Sequence, residues 1–226
     1  QKLETDNWLL SNSPFGDGFD VILPDPPGGP IPLDKLASYK AVVLAGEFDP
    51  DPDLAGRLME YVRNGGTLVL NVRQAGSRLP PSFLGADRSS ECRPVRFPAR
   101  APAGTEVIDT ADAYNAELVA LRGARPLLVD ASNQVLACVN DVGRGRVVLT
   151  TPDYLLPDNL GNLDMPTYSK WQGRETFPLL SFLFARLVRE ALPIEVRGDI
   201  QYGLNKVPGG WWVYLINNKG VAKAAR

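Results

Sequence analysis

The chain contains no histidine. That removes Ser-His-Asp and Cys-His nucleophile pairs and every imidazole metal site. Cysteine is nearly absent too: Cys92 and Cys138 are the only two, and they are not at metal-ligand spacing. In an exported chain they could form one disulfide. In a reducing compartment they would be two buried thiols, and this reading is preferred because free cysteine packs as a small hydrophobe. No apolar run reaches the roughly 18 residues of a membrane span. Excess charge is also lacking. Lys and Arg number 24 against 26 Asp and Glu, a formal net charge of -2. With no Lys/Arg cluster, that argues against a nucleic-acid surface. No internal repeat or low-complexity segment is visible. The chain opens on Gln1 without an apolar signal segment or a Met, as expected of a processed mature chain or an excised fragment. The compartment is left open, with an extracellular or periplasmic one slightly favoured over the cytoplasm.

What is present is a strand-helix-strand unit at residues 39–72. Ala41-Val42-Val43-Leu44 is a short unbroken apolar run, as expected of a strand covered on both faces. Asp51 or Asp53 then caps a helix with Leu54, Leu58, Met59 and Val62 at helical spacing. Gly65-Gly66 ends it, and Thr67–Leu70 is a second buried-type strand. Short joins make this a βαβ unit, so the sheet is at least partly parallel.

The rest of the chain is read around that unit. Phe19–Leu23 suggests a strand, and Pro24–Pro32 a connecting loop. Residues 74–85 suggest a loop with a short helix, and Pro94–Phe97 an edge strand. Glu106–Ile108 favours a strand, whereas Ala116–Leu121 is open between strand and helix. Leu127–Val129, Val135–Val139 and Arg146–Thr150 predict an antiparallel meander joined to the edge of the parallel sheet, with turns at 131–134 and 143–145. Residues 151–174 form a long loop, and 175–191 a largely buried helix. Gln201–Leu204 and Trp211–Ile216 predict a hairpin turning at Pro208-Gly209-Gly210. Trp211 and Trp212 alternate, so one is expected to face a core and the other solvent or a neighbouring domain.

Several of these motifs point to a family. The Tyr39–Asn71 unit, with its D-x-D-L helix start and YVRNGGTLVL exit, resembles class I glutamine-amidotransferase-like domains. It looks closest to the non-catalytic type that forms the middle, trimerisation domain of bacterial beta-galactosidases and related glycoside hydrolases. Gly143–Leu149 looks like that family's late strand. Tyr202-Gly203-Leu204 with Trp212–Asn218 resembles the start of a β-sandwich that follows such domains. Catalytic amidotransferases need a cysteine on a strand-to-helix elbow and a His-Glu pair. The corresponding strand end here reads Leu70-Asn71-Val72-Arg73-Gln74, with no cysteine. The resemblance therefore implies a scaffold without that activity.

The expected fold is α/β and flavodoxin-like. It comprises a mostly parallel sheet with flanking helices, an antiparallel extension, and a C-terminal β-hairpin beginning a second β domain. The expected domains are 1–193 and 194–226.

Three groups of residues are candidate sites. Asp49, Asp51 and Asp53 with Glu60 have the carboxylate spacing of a calcium loop, but Leu54 stands where that loop needs glycine, so a helix cap is preferred. Glu47, Arg73, Asp153 and Tyr154 follow strand ends and could face one crevice, where Glu47 and Asp153 would be a carboxylate pair for glycoside hydrolysis. A loop ion pair of Glu47 with Arg73, and Asp153 capping a turn, is the preferred alternative. Tyr154, Tyr168 and Trp171 could stack on sugar rings or pack the loop onto its own domain or a partner subunit. No cofactor is expected. The expected partners are neighbouring domains, a homo-oligomer, or carbohydrate.

Overall fold

The computed structural model describes residues 22, 30–44, 49–104, 106–110, 113–152, 178–194 and 201–216. The chain divides into two compact units. One is Leu23–Leu179. The other takes in Gln1–Ile22 and Leu180–Arg226.

In the first unit, α1 (Leu33–Ala37) leads into β1 (Ala41–Val43), followed by α2 (Pro52–Arg63) and β2 (Thr67–Asn71). β1 and β2 are parallel, Ala41 opposite Thr67, as the strand-helix-strand reading requires. Helix α2 starts where the Leu54 N–H donates to Asp51 Oδ1 at 2.8 Å, with Pro52 supplying a first-turn residue that has no N–H to satisfy. Leu58 and Val62 are buried as expected, joined by Ala55 and Tyr61. The Tyr61 hydroxyl donates to Tyr39 O at 3.0 Å and lies 3.4 Å from Thr67 O, tying the helix to the start of β2 and to the segment just before β1.

The two glycines after the helix have separate jobs. Gly65 holds a φ of 115°. Gly66 has no room for a side chain, since a Cβ there would sit 2.1 Å from the Tyr61 ring.

The meander forms as expected. β7 (Arg125–Val129), β8 (Val135–Val142) and β9 (Gly145–Thr150) pair antiparallel in succession, and the far side of β9 pairs parallel with β2. A short β4 (Ala99–Arg100) and β5 (Val107–Ile108) complete a seven-stranded sheet in the order β1-β2-β9-β8-β7-β4-β5. The sheet is mixed: β1, β2 and β9 run parallel, and every pairing beyond β9 is antiparallel. Its core gathers Leu58 and Val62 of α2, Leu68 and Leu70 of β2, Val147 and Leu149 of β9, and Cys138 of β8. Phe83 and Leu84 of a short α3 (Pro81–Leu84) close one end.

The expected edge strand at Pro94–Phe97 is displaced. A longer strand, β3 (Ala86–Pro94), pairs antiparallel with β6 (Asn115–Leu121) in a separate two-stranded ribbon. Residues 89–94 are exposed, so no apolar alternation marked the strand.

The described part of the second unit contains a hairpin of β10 (Gln201–Val207) and β11 (Gly210–Ile216), in register from Gln201–Ile216 to Val207–Gly210. Helix α4 (Pro178–Ala191) has a buried stripe of Leu179, Leu183 and Leu187 at four-residue spacing. Of Trp211 and Trp212, one was expected to face a core and the other solvent or a neighbouring domain. They are 41% and 72% exposed, with Val213, Tyr214 and Leu215 exposed beside them, so among the described residues neither face of β11 is packed away and the core-facing expectation is corrected. Among the described residues, no helix is long and apolar enough to cross a membrane.

Candidate functional site

In an open α/β sheet, ligands bind beyond the carboxyl ends of the strands. Here that edge is formed by the ends of β1, β2 and β9, and by the turn that follows β2. β2 ends on Asn71, which is fully buried. Its Oδ1 accepts the Arg73 N–H at 3.0 Å, while its own N–H donates to Gln74 Oε1 at 2.8 Å. This reciprocal cap starts a 3-10 turn over Val72–Ala75. Asn71 Nδ2 reaches Pro152 O at 2.5 Å and Thr150 Oγ1 at 3.3 Å. The Thr150 hydroxyl in turn lies 3.3 Å from Leu70 O.

The ribbon closes the same corner. Glu117 of β6 is 4% exposed, and its carboxylate takes Arg88 Nε at 2.9 Å and Nη2 at 3.2 Å. The Glu117 N–H donates to Thr151 O at 3.0 Å, and the Thr151 hydroxyl donates to Val135 O at 2.7 Å. These buried polar groups satisfy one another, which is the condition for burying them at all. The corner is a lock that fixes strand ends. Among the described residues, neither the Thr150 nor the Thr151 hydroxyl is paired with a basic side chain that could activate it.

Arg73 is exposed and points Nη2 toward Cys92 Sγ at 4.0 Å. Glu47, Asp153, Tyr154, Tyr168 and Trp171 lie outside the described residues. The three aspartates do not converge. Asp51 caps α2, Asp49 pairs with Arg78 at 3.0 Å, and Asp53 sits 3.9 Å from Arg57 one helical turn on. Among the described residues, no three His, Cys, Asp or Glu side chains are placed to hold a metal ion.

The two cysteines do not form the disulfide that was the alternative to buried thiols. Both cysteines are free, Cys138 buried in the sheet and Cys92 exposed on the ribbon. The preferred two-buried-thiols reading holds only for Cys138, whose thiol is pushed up to about 12 by burial.

Sequence reasoning missed Glu117, Arg88 as its partner, and the buried Asp130. The cap at Asn71 carried a readable signal, Asn-x-x-Gln at a strand end. Glu117 carried none, because a lone Glu inside Asn-Ala-Glu-Leu-Val reads as an outward residue.

No protein family and no curated protein matches the sequence. Solved structures do match. The cold-adapted beta-galactosidase from Rahnella sp. R3 aligns with a TM-score of 0.51 at 14% identity, over 79% of this chain and 27% of that one. The polyextremophilic beta-galactosidase of the Antarctic haloarchaeon Halorubrum lacusprofundi gives 0.48 at 17%, over 73% and 24%. The GH42 beta-galactosidase Gan42B of G. stearothermophilus gives 0.46 at 13%, over 80% and 26%. At 14% identity the Rahnella likeness concerns the fold alone, and the chain spans about a quarter of the length of each enzyme.

Proposed function

We propose that this chain is a non-catalytic α/β domain of a multidomain, glycoside hydrolase-like protein, and that it joins domains or copies together instead of turning over a substrate. The scaffold is amidotransferase-like and flavodoxin-like in plan. A domain boundary near residue 193 leaves the β10–β11 hairpin as the start of a β-sandwich.

One observation carries the reading. The strand end where a catalytic relative would present its nucleophile is Asn71, spent on four hydrogen bonds within the fold. The fold likeness to a quarter-length portion of beta-galactosidases supports it, since such a portion has neighbours in its own chain.

The test is to assay the intact chain for glutamine hydrolysis and against a panel of β-glycosides, alongside Glu47→Gln and Asp153→Asn. No turnover is the expected result. Turnover that either amide replacement abolishes overturns the proposal and assigns a carboxylate pair. Light scattering on the same samples is expected to give a mass above that of one chain.

A further inference from the structure

We infer that the outer edge of β3 is a pairing edge for a second copy of this chain, antiparallel and two-fold symmetric about Cys92. The inference rests on the assembly reading above and gives it a surface and a partner.

The Val95 N–H donates to Tyr114 O at 2.8 Å, and the register runs Pro94–Asn115, Arg93–Ala116, Cys92–Glu117. In an antiparallel ladder, bonded and non-bonded pairs alternate. Arg93 therefore bonds to β6, while Cys92 and Pro94 turn their backbone groups outward. Glu117 agrees: opposite Cys92, it sends its N–H away from β3, to Thr151 O. Among the described residues, β3 has no strand on its outer side, and residues 89–94 are exposed.

Charge then selects a register. Glu91 and Arg93 flank Cys92 on one face of the strand and already reach each other at 2.8 Å. A two-fold axis at Cys92 places Glu91 opposite Arg93 of the second copy, and the reverse, giving two cross-strand ion pairs on that face. The two Cys92 residues exchange both backbone bonds at a Cα separation of about 5.5 Å, within the range a disulfide can span.

The edge is otherwise guarded. Pro94 has no N–H, and Ser90 holds a φ of 59° at a break in register. These features block extended pairing in other registers and leave the short self-complementary one.

The experiment is sedimentation of the intact chain with Glu91→Lys, with Arg93→Glu, and with the two variants mixed. Each variant alone carries like charges across the axis and is expected to self-associate about tenfold more weakly. The mixture restores association, because all-positive then faces all-negative. Mild oxidation is expected to trap a disulfide dimer in the unmodified chain and none in Cys92→Ser. If the chain associates but both single variants match it and no Cys92 dimer forms, the edge is wrong and the assembly reading stands. If the unmodified chain is monomeric and yields no dimer, both fail.

Discussion

Asp130 offers the sharpest test of the fold's polar interior. It is fully buried at the start of the β7–β8 turn. Oδ1 accepts the Ser132 N–H at 2.8 Å, the Ser132 hydroxyl at 2.7 Å and the Gln134 N–H at 2.8 Å, and Oδ2 accepts the Arg96 N–H at 3.0 Å. Burial pushes the carboxyl up, but these four bonds outweigh it and hold it below the ordinary carboxylate value. Asp130→Asn keeps one oxygen and sets an amide N–H against that of Arg96. It loses one bond, weakens three that were charge-assisted, and should cost about 2–3 kcal/mol at neutral pH.

The pH dependence has a definite sign. A lowered folded-state pKa contributes stability that is present above the unfolded value and lost as pH falls through the folded one. The gap between the natural chain and Asp130→Asn, from urea unfolding at a series of pH values, should therefore shrink on acidification and fall below about 1 kcal/mol once Asp130 is protonated. A gap that stays constant from neutral to acid pH, or no gap at neutral pH, refutes the reasoning.

Other positions give further tests. Tyr61 is pushed to about 12 by burial, against the ordinary 10.0, so its stabilisation is present below pH 10 and lost as pH rises toward 12. Tyr61→Phe should cost about 1–2 kcal/mol at neutral pH and show less loss in alkali, as read by unfolding midpoints. Gly145→Ala places a Cβ 2.2 Å from the carbonyls of Gly66 and Val62. Backbone on both sides cannot give way cheaply, so a cost of about 1–3 kcal/mol is expected in thermal unfolding. Asn71→Ala strands the Arg73 N–H and frees the ends of β2 and β9. About 2–4 kcal/mol should be lost, with hydrogen exchange rising first at Val72–Ala75.

How much of this could be read in the sequence depends on whether burial and turn chemistry agreed. The βαβ unit was legible because Asp51-Pro52 marks a helix start, the apolar runs 41–44 and 67–70 mark covered strands, and Gly65-Gly66 marks the exit. The meander was legible because Gly143-Arg144-Gly145 breaks an apolar run where only glycine fits. β3 was not legible, since Arg-Ser-Ser-Glu-Cys-Arg stands in solvent as part of a ribbon and carries no period. Trp211 and Trp212 misled for the opposite reason: alternation implies one packed face, and β11 has none among the described residues. At the strand ends, the sequence could not show that Asn71 ties the ends of β2 and β9 together, because Thr150 and Pro152 lie some eighty residues away.

Under the proposed function this chain works by association. Sedimentation equilibrium of the intact chain over a wide concentration range is the most direct measurement. A mass above that of one chain, rising with concentration, is the predicted result. A single-chain mass at every concentration contradicts it.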